Sequence, residues 1–576
     1  MIGARQIRKM LTGRKTKKTA YALMTAAAVL CCAFLFWKAR YGFANSDESF
    51  YLTIPFRLLN GDRLVVDEWN VTQFSSLLLL VPAWVSRLFS PDNTGIVLAF
   101  RYFYTVIQIA TGFFIFFALK RYSMAGAFFS AILFTLYTPF GIMAASYNSL
   151  GIICLTDALI LYLKGYEKPS FWRCFLAGVL FAFSVLCSPY LAFLFFLYTA
   201  AVFVLMLVKK TPGICAFRRW LYLTSGIAVP ALIVTALLLR SGTPRFLIAL
   251  LSDIVRDPEH PVRGFSAIVI EYFRALLFSS SISKHVFLGY FICLAGLVFK
   301  RKLARYSRFL LVCSFLLTGA YLVSLFLTNR FLNFLLLPLN MQAAVLFLYT
   351  NRQDIRKLFY HLWIPGMLFT FLLHCSSNQE LYAIASASAV ALPGSVMMLV
   401  ITASSELKAH KTFGTAAAVL VSVLLLLQTA FMGIVRYESV FWEKSMKAQT
   451  VLLESGSEKG LIVSEARSAR YQISIQDAAE ISADPSVSDI LCLSESIWMY
   501  LEMPDLDICS YSAWLYGLNE HTLPNLKKYY DMFEHKLPDA VYVELENSEF
   551  ADAFCEMFDF SPAYLKSGNI LLKRNS

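Results

Sequence analysis

The stretch "LLLLVPAWVSRLF", residues 77–89, decides how the whole chain is threaded. It is apolar, yet at thirteen residues it is short of the roughly 17–25 that a membrane-crossing helix needs, and it carries Pro82 and Arg87. If it crosses a bilayer, every later loop changes sides. The surrounding sequence makes the question meaningful. Of 576 residues, 58% are hydrophobic and 15% charged, where a soluble chain carries about a quarter charged residues. Long unbroken apolar runs recur through the first three quarters of the chain. They predict a polytopic all-α membrane protein, because backbone in lipid must satisfy its own hydrogen bonds, and the unbroken runs lack the alternation of a membrane β-barrel.

The runs at 20–37, 97–119, 125–145, 149–164, 174–190, 191–208, 220–239, 286–299, 308–327, 331–349, 357–374, 381–403 and 412–435 predict about 13 transmembrane helices. With 77–89 left lying in the interface, the basic residues fall on one side. That side takes the N-terminal tail 1–19, then Lys120-Arg121, Lys164, Lys168 and Arg173, Lys209-Lys210 with Arg218-Arg219, Lys300-Arg301-Lys302, Arg352, Arg356 and Lys357, and Lys408 with Lys411. The short loops opposite, 146–148, 328–330 and 375–380, hold Arg330 alone. The separation predicts a cytoplasmic N-terminus, a transmembrane domain over 20–435 and long external loops at 38–96 and 240–285. It also predicts an extracytoplasmic domain over 436–576. The run 20–37 reads as a retained anchor and the basic loops as those of a multi-pass protein of a bacterial plasma membrane.

The last 140 residues differ in kind. From 437 to 576 there are 11 Lys+Arg against 23 Asp+Glu, and the rest of the chain has 40 against 15. Short β-like runs at 460–464, 489–494, 506–512 and 540–545, a helical run at 523–536 and a hairpin over 563–574 turning at Gly568-Asn569 predict a small α/β domain. The basic excess of the remainder belongs to membrane loops and implies no nucleic acid. Nine of the 12 cysteines lie before residue 436, mostly in apolar runs. With no CxxC pair they indicate neither a zinc site nor a disulfide framework.

The chemistry-bearing stretch is "ANSDESFYLTIPFRLLNGD", 44–62. Asp47 and Glu48 stand where the chain leaves the first span. Phe50, Ile54 and Leu58 give the following run an apolar stripe, so the helix is expected to lie flat on the membrane. Ser46 and the two acids could simply cap it and favour its N-terminal dipole. Asp67 and Glu68 form a second acidic pair, read as a solvated loop face or as groups that orient an acceptor or a divalent ion. Asp157 lies mid-span in 149–164, where an acid is costly and implies a function or a buried pair, with Arg101 as the candidate partner. Asp257, Glu259 and His260 in "SDIVRDPEHPVRGF", 252–265, are a metal cluster only on paper, since such groups in polar loops are usually solvated.

At these positions the chain resembles the GT-C glycosyltransferases, most closely the protein O-mannosyltransferases and the aminoarabinose–lipid A transferases. The resemblance covers about 20–350. It rests on the basic tail, the single span and the external "DE" followed by a helix ending in "NGD". It adds "LLNGDRLVVDEW" (58–69), Arg101, "NSLGIICLTDALILYL" (148–163) and "NRFLNFLLLPLN" (329–340). It implies a sugar donor linked to a polyprenyl phosphate, transferred with inversion to an extracytoplasmic glycan, lipid or protein acceptor. Asp47 would be the base, with Glu48 beside it as the second catalytic acid. Arg330, Arg101, Asp67, Glu68, Tyr147 and Asn148 would contact substrate. The segment "DEWNVTQFSS" departs from the lipid A branch, which has a Lys after its second acid where this chain has Trp69 and Gln73. No cofactor is demanded, and a divalent metal stays open. Two other classes also stay open: a transporter or flippase of lipid-linked saccharides, and a non-catalytic envelope-assembly protein.

Overall fold

A computed structural model describes residues 4–43, 45–208, 210–254, 263–299, 306–377, 379–440, 443, 445–515 and 518–575. Asp257, Glu259 and His260 therefore lie outside the described residues. The chain opens with α1 (Ala4–Lys38), α2 (Asn45–Asn60), α3 (Leu80–Phe89), α4 (Ile96–Leu119), α5 (Met124–Leu136) and α6 (Tyr147–Glu167). It continues through α7 (Phe171–Cys187), α8 (Ala192–Val208), α9 (Lys210–Ser241), α10 (Pro244–Ile254), α11 (Phe265–Leu277), α12 (Ser283–Val298) and α13 (Ser307–Thr328). Then come α14 (Leu337–Tyr349), α15 (Gln353–Leu358), α16 (Ile364–Ser376), α17 (Glu380–Ala387), α18 (Leu392–Ala409) and α19 (Lys411–Glu438).

Among the described residues, eight helices are long and apolar enough to cross a bilayer. Glu380–Val390 and Leu392–Ala409 are long and apolar enough only when taken together, across a 60° bend, and four shorter apolar helices are Met124–Leu136, Phe171–Cys187, Ser283–Val298 and Phe334–Tyr349. Side-chain caps start several of these helices. Ser146 and Ser149 each accept the other's backbone N–H at the head of α6 (3.1 and 2.9 Å), which saves two donors from burial unpaired.

The C-terminal region holds β1 (Val451–Leu452), β2 (Ile462–Val463), α20 (Glu465–Ser482), β3 (Asp489–Leu493), α21 (Met499–Glu502) and β4 (Asp507–Ile508). It closes with α22 (Thr522–Met532), β5 (Ala540–Val543), α23 (Ser548–Met557), β6 (Phe560–Tyr564) and β7 (Ile570–Arg574). β1 and β2 pair antiparallel; the other five strands form one sheet in the order β4-β3-β5-β7-β6, with β4, β3 and β5 parallel and β7 antiparallel to both its neighbours. The turn between β6 and β7 passes Gly568 at φ +93°, the left-handed geometry that glycine adopts without penalty. Alternate residues of the strands serve different layers. Ile490, Cys492, Ala540 and Tyr542 pack with Phe50, Tyr51 and Ile54 of α2. Leu491, Leu493, Val541 and Val543 pack with Val65, Val66 and Trp69 and with α22 and α23.

That packing corrects one expectation. The stripe Phe50–Ile54 faces the C-terminal sheet and not lipid; both residues are buried. The opposite side of α2, Leu52 and Phe56, joins the membrane core. An amphipathic pattern reveals a buried face without revealing its partner, and here the partner lies more than 400 residues away.

The sheet region also holds both ends of the segment that contains 77–89. Gly42 donates to Ile462 O (2.8 Å) at the end of α1, and Gly95 donates to Gly456 O (3.0 Å) at the start of α4. Trp69 donates to Tyr511 O (2.7 Å), and Lys38 Nζ reaches Tyr437 O (3.1 Å) at the end of α19. All four contacts lie on one face of the bundle. Between Trp69 and Gly95 the chain runs as a 3₁₀ turn, Val71–Leu78, bent by 58° into α3. Trp84, Leu88 and Phe89 of α3 are exposed.

Candidate active site

Asp47 sits in the first turn of α2, at the junction of the bundle and the sheet region. It is half-buried, and Tyr51 Oη, one helical turn on, donates to its Oδ1 at 3.3 Å. The Tyr51 ring meets the Tyr147 ring edge-on, with centroids 5.8 Å apart. Tyr147 and Asn148 begin α6, so the structure brings them to the same end of the bundle as Asp47, and both are half-buried. Burial pushes the Asp47 carboxyl up to about 7, with Glu48 adding to the rise and the Tyr51 hydroxyl opposing it. Phe50 packs edge-on against Trp514 at 5.0 Å, so the sheet region forms one wall of this corner.

Glu48, the next residue, is in a different state. It is 2% exposed and grips Arg101 with both oxygens, Nε–Oε1 at 2.7 Å and Nη2–Oε2 at 2.5 Å. Arg101 Nη1 also donates to the carbonyls of Ala39 (2.8 Å) and Tyr41 (3.3 Å). Arg101 therefore pairs with Glu48 and not with Asp157. Asp157 accepts from Thr111 Oγ1 at 3.1 Å, and its other oxygen has no partner among the described residues.

Asp67 and Glu68 are 1% and 2% exposed, so the reading of them as a solvated face is corrected. Asp67 accepts from the Arg63 backbone N–H (2.8 Å) and side chain (3.0 Å). Glu68 binds Arg57 Nη1 (3.0 Å), Ser512 Oγ (2.6 Å) and the Ala513 N–H (2.8 Å). Arg57, buried on α2, completes the cluster with Asp62 (2.7 Å) and the carbonyl of Ser510 (2.8 Å). Lys536 Nζ reaches Asp62 at 2.7 Å. These acids latch the loop after α2 to the sheet region. Sequence reading missed Arg57. Its spacing, three residues after Ile54 on the buried side of α2, was the available signal. Among the described residues no group of three His, Cys, Asp or Glu side chains is arranged to hold a metal ion.

Arg330 lies in the short loop after α13, 56% exposed, with Glu438 at 3.4 Å and its guanidinium over the Phe326 ring. Glu438 ends α19, whose neighbour Tyr437 contacts α1, so Arg330 shares the face on which Asp47 stands.

No family model and no curated protein matches this chain. Solved structures do. The chain is similar to ArnT from Cupriavidus metallidurans bound to undecaprenyl phosphate, at 13% identity and TM-score 0.41, over 96% of this chain and 98% of that one. It is similar to the Archaeoglobus fulgidus oligosaccharyltransferase tethered with an acceptor peptide, at 9% identity and TM-score 0.42, over 96% of this chain and 74% of that one. At such identities and scores these likenesses assign no activity by themselves.

Proposed function

We propose that the chain is a membrane glycosyltransferase of the GT-C type, which moves a sugar from a polyprenyl-phosphate carrier to an extracytoplasmic acceptor hydroxyl with inversion. The observation that carries the proposal is the contrast between Asp47 and Glu48. Two adjacent carboxyls stand in different surroundings: one is locked in a buried ion pair, and the other is half-open and lifted toward neutrality by burial. Glu48 is consumed by Arg101. Asp47 keeps a half-open carboxyl poised near neutral pH, where a general base works best.

In this reading the Asp47 carboxylate takes the proton of the acceptor hydroxyl as its oxygen attacks the anomeric carbon. The bond from that carbon to the phosphate oxygen breaks, and the electron pair leaves with the phosphate. Negative charge grows on the leaving group, and a nearby cation lowers the barrier. The exposed guanidinium of Arg330 is assigned that role. Arg101 acts through Glu48, by setting the first turn of α2. Tyr147 and Asn148 bound the substrate corner beside Tyr51. The sheet region, latched by Glu68 and Arg57, closes the corner from outside and contacts the acceptor.

The test is incubation of purified protein in lipid with a panel of polyprenyl-phosphate sugars and mass spectrometry of the products. Consumption of at least one donor is expected, with an acceptor heavier by one sugar residue. A panel left intact under every condition would overturn the proposal.

A further inference from the structure

Beside the proposed site, at the seam where the ends of α1 and α19 meet, three buried cations face one carboxylate. Lys38, Arg101 and Arg436 are 3%, 4% and 2% exposed. They lie within electrostatic reach of one another. Arg101 is neutralised by Glu48. Lys38 reaches only the Tyr437 carbonyl (3.1 Å) and the Met446 sulfur (3.3 Å) among the described residues. Arg436 gives one N–H to Gly141 O at 3.4 Å, while its Nε and Nη2 are buried without a partner among the described residues.

Those two nitrogens form the side-on fork of a guanidinium. On Arg101 the same pair grips both oxygens of Glu48. On Arg436 the fork is ready for a second oxyanion, with Lys38 on the neighbouring helix end to share its charge. A buried, unpaired guanidinium costs several kcal/mol, on the order of the penalty per uncompensated ion, and cations at membrane depth persist where they pair or bind a ligand. Lys38 is the last residue of α1, and Arg436 stands two residues before the end of α19, so the fork lies where two apolar helices end. Only 6% of the apolar stretch of α1 is buried, so α1 lies at the periphery of the bundle.

We infer that Arg436 and Lys38 form a seat for the phosphate of a membrane lipid. The seat differs from the Asp47 corner, and binding to it is measurable without turnover, so its failure and that of the transferase reading are separable.

Full-length protein in detergent is titrated with a polyprenyl phosphate, with phosphatidylglycerol and with inorganic phosphate, and bound species are read by native mass spectrometry. With Arg330→Ala as the common background, which removes the phosphate contact assigned to the transferase site, the protein that keeps Arg436 is expected to retain a lipid phosphate at least tenfold better than Arg436→Gln, while Arg352→Gln behaves as the background does. Preference for the polyprenyl phosphate places a carrier lipid in the seat, and preference for phosphatidylglycerol places a bulk lipid there; both support the inference. Equal retention by Arg436→Gln, or binding of inorganic phosphate as tight as that of either lipid, overturns it. Arg436→Met removes an uncompensated charge and keeps the packing, so a folded variant is expected. In an Arg330→Ala background, which removes the phosphate contact assigned to the transferase site, a lipid phosphate should raise the melting temperature of the protein that keeps Arg436 and leave that of Arg436→Met unchanged; equal shifts overturn the inference.

Discussion

Glu48 and Arg101, 53 positions apart, form a two-pronged ion pair of 2.7 and 2.5 Å that ties the first turn of α2 to the head of α4. The pair is buried on both sides, so it has few water molecules to fall back on when one partner is lost. Because Asp47 is the adjacent residue, the pair also fixes where the proposed base points.

Glu48→Gln should therefore destabilise the fold by about 3–5 kcal/mol, the cost of stranding a buried partner. Glu48→Gln combined with Arg101→Met should recover much of that loss. Thermal melts of the two single variants and the double variant in one detergent measure this. Additive losses would mean that the two side chains act independently.

Arg57 and Glu68 should hold the sheet region on the bundle. Glu68→Ala leaves Arg57 short of a charge partner and frees Ser512 and Ala513, so limited proteolysis between 69 and 95 or in the sheet region should quicken by tenfold or more. Lys527→Ala, an exposed i,i+4 pair with Asp531, should change neither proteolysis nor stability by more than about 1 kcal/mol.

Arg330 should separate binding from folding. Its pair with Glu438 is exposed on both sides, so Arg330→Ala should cost little stability. If its guanidinium meets the leaving phosphate, the same variant should lower kcat/KM for the donor by one to two orders of magnitude, about 1.4–2.8 kcal/mol of barrier. Melting temperature and donor kinetics on one preparation decide the point.

The pH dependence follows from Asp47, whose carboxyl moves from 3.8 to about 7 because burial disfavours its charge. The folded protein holds that proton more tightly than the unfolded chain, so the contribution of Asp47 to stability falls as pH rises from 3.8 to about 7 and then levels. Activity runs the other way, since only the ionised form is a base. Transfer should climb with an apparent pKa near 7 and plateau above it, as read from kcat/KM across pH.

How much of this was legible in the sequence depends on range. Span-length apolar runs mark the helices because lipid enforces local hydrogen bonding. Strands around 489–494 and 540–545 show as short apolar runs, and the Gly568 hairpin shows in its turn residues. The position of Asp47 is local too, a first-turn acid after a span. Partner choice is not local. Glu48 meets Arg101, and Glu68 meets Ser512, 444 positions away, through folding that no short window encodes. Charged loop residues are normally solvated, which is why Asp67 and Glu68 read as surface until the sheet region covered them. Arg436 stands near the end of an apolar helix, and nothing local in the sequence marks it as buried or as short of partners.

The most direct measurement is single-turnover sugar transfer by Asp47→Asn beside wild type, with folding checked by melting temperature. The account predicts a folded variant whose transfer falls by about 10²–10⁴-fold and no longer rises with pH near 7. Transfer within a few-fold of wild type, with the pH rise intact, would contradict it.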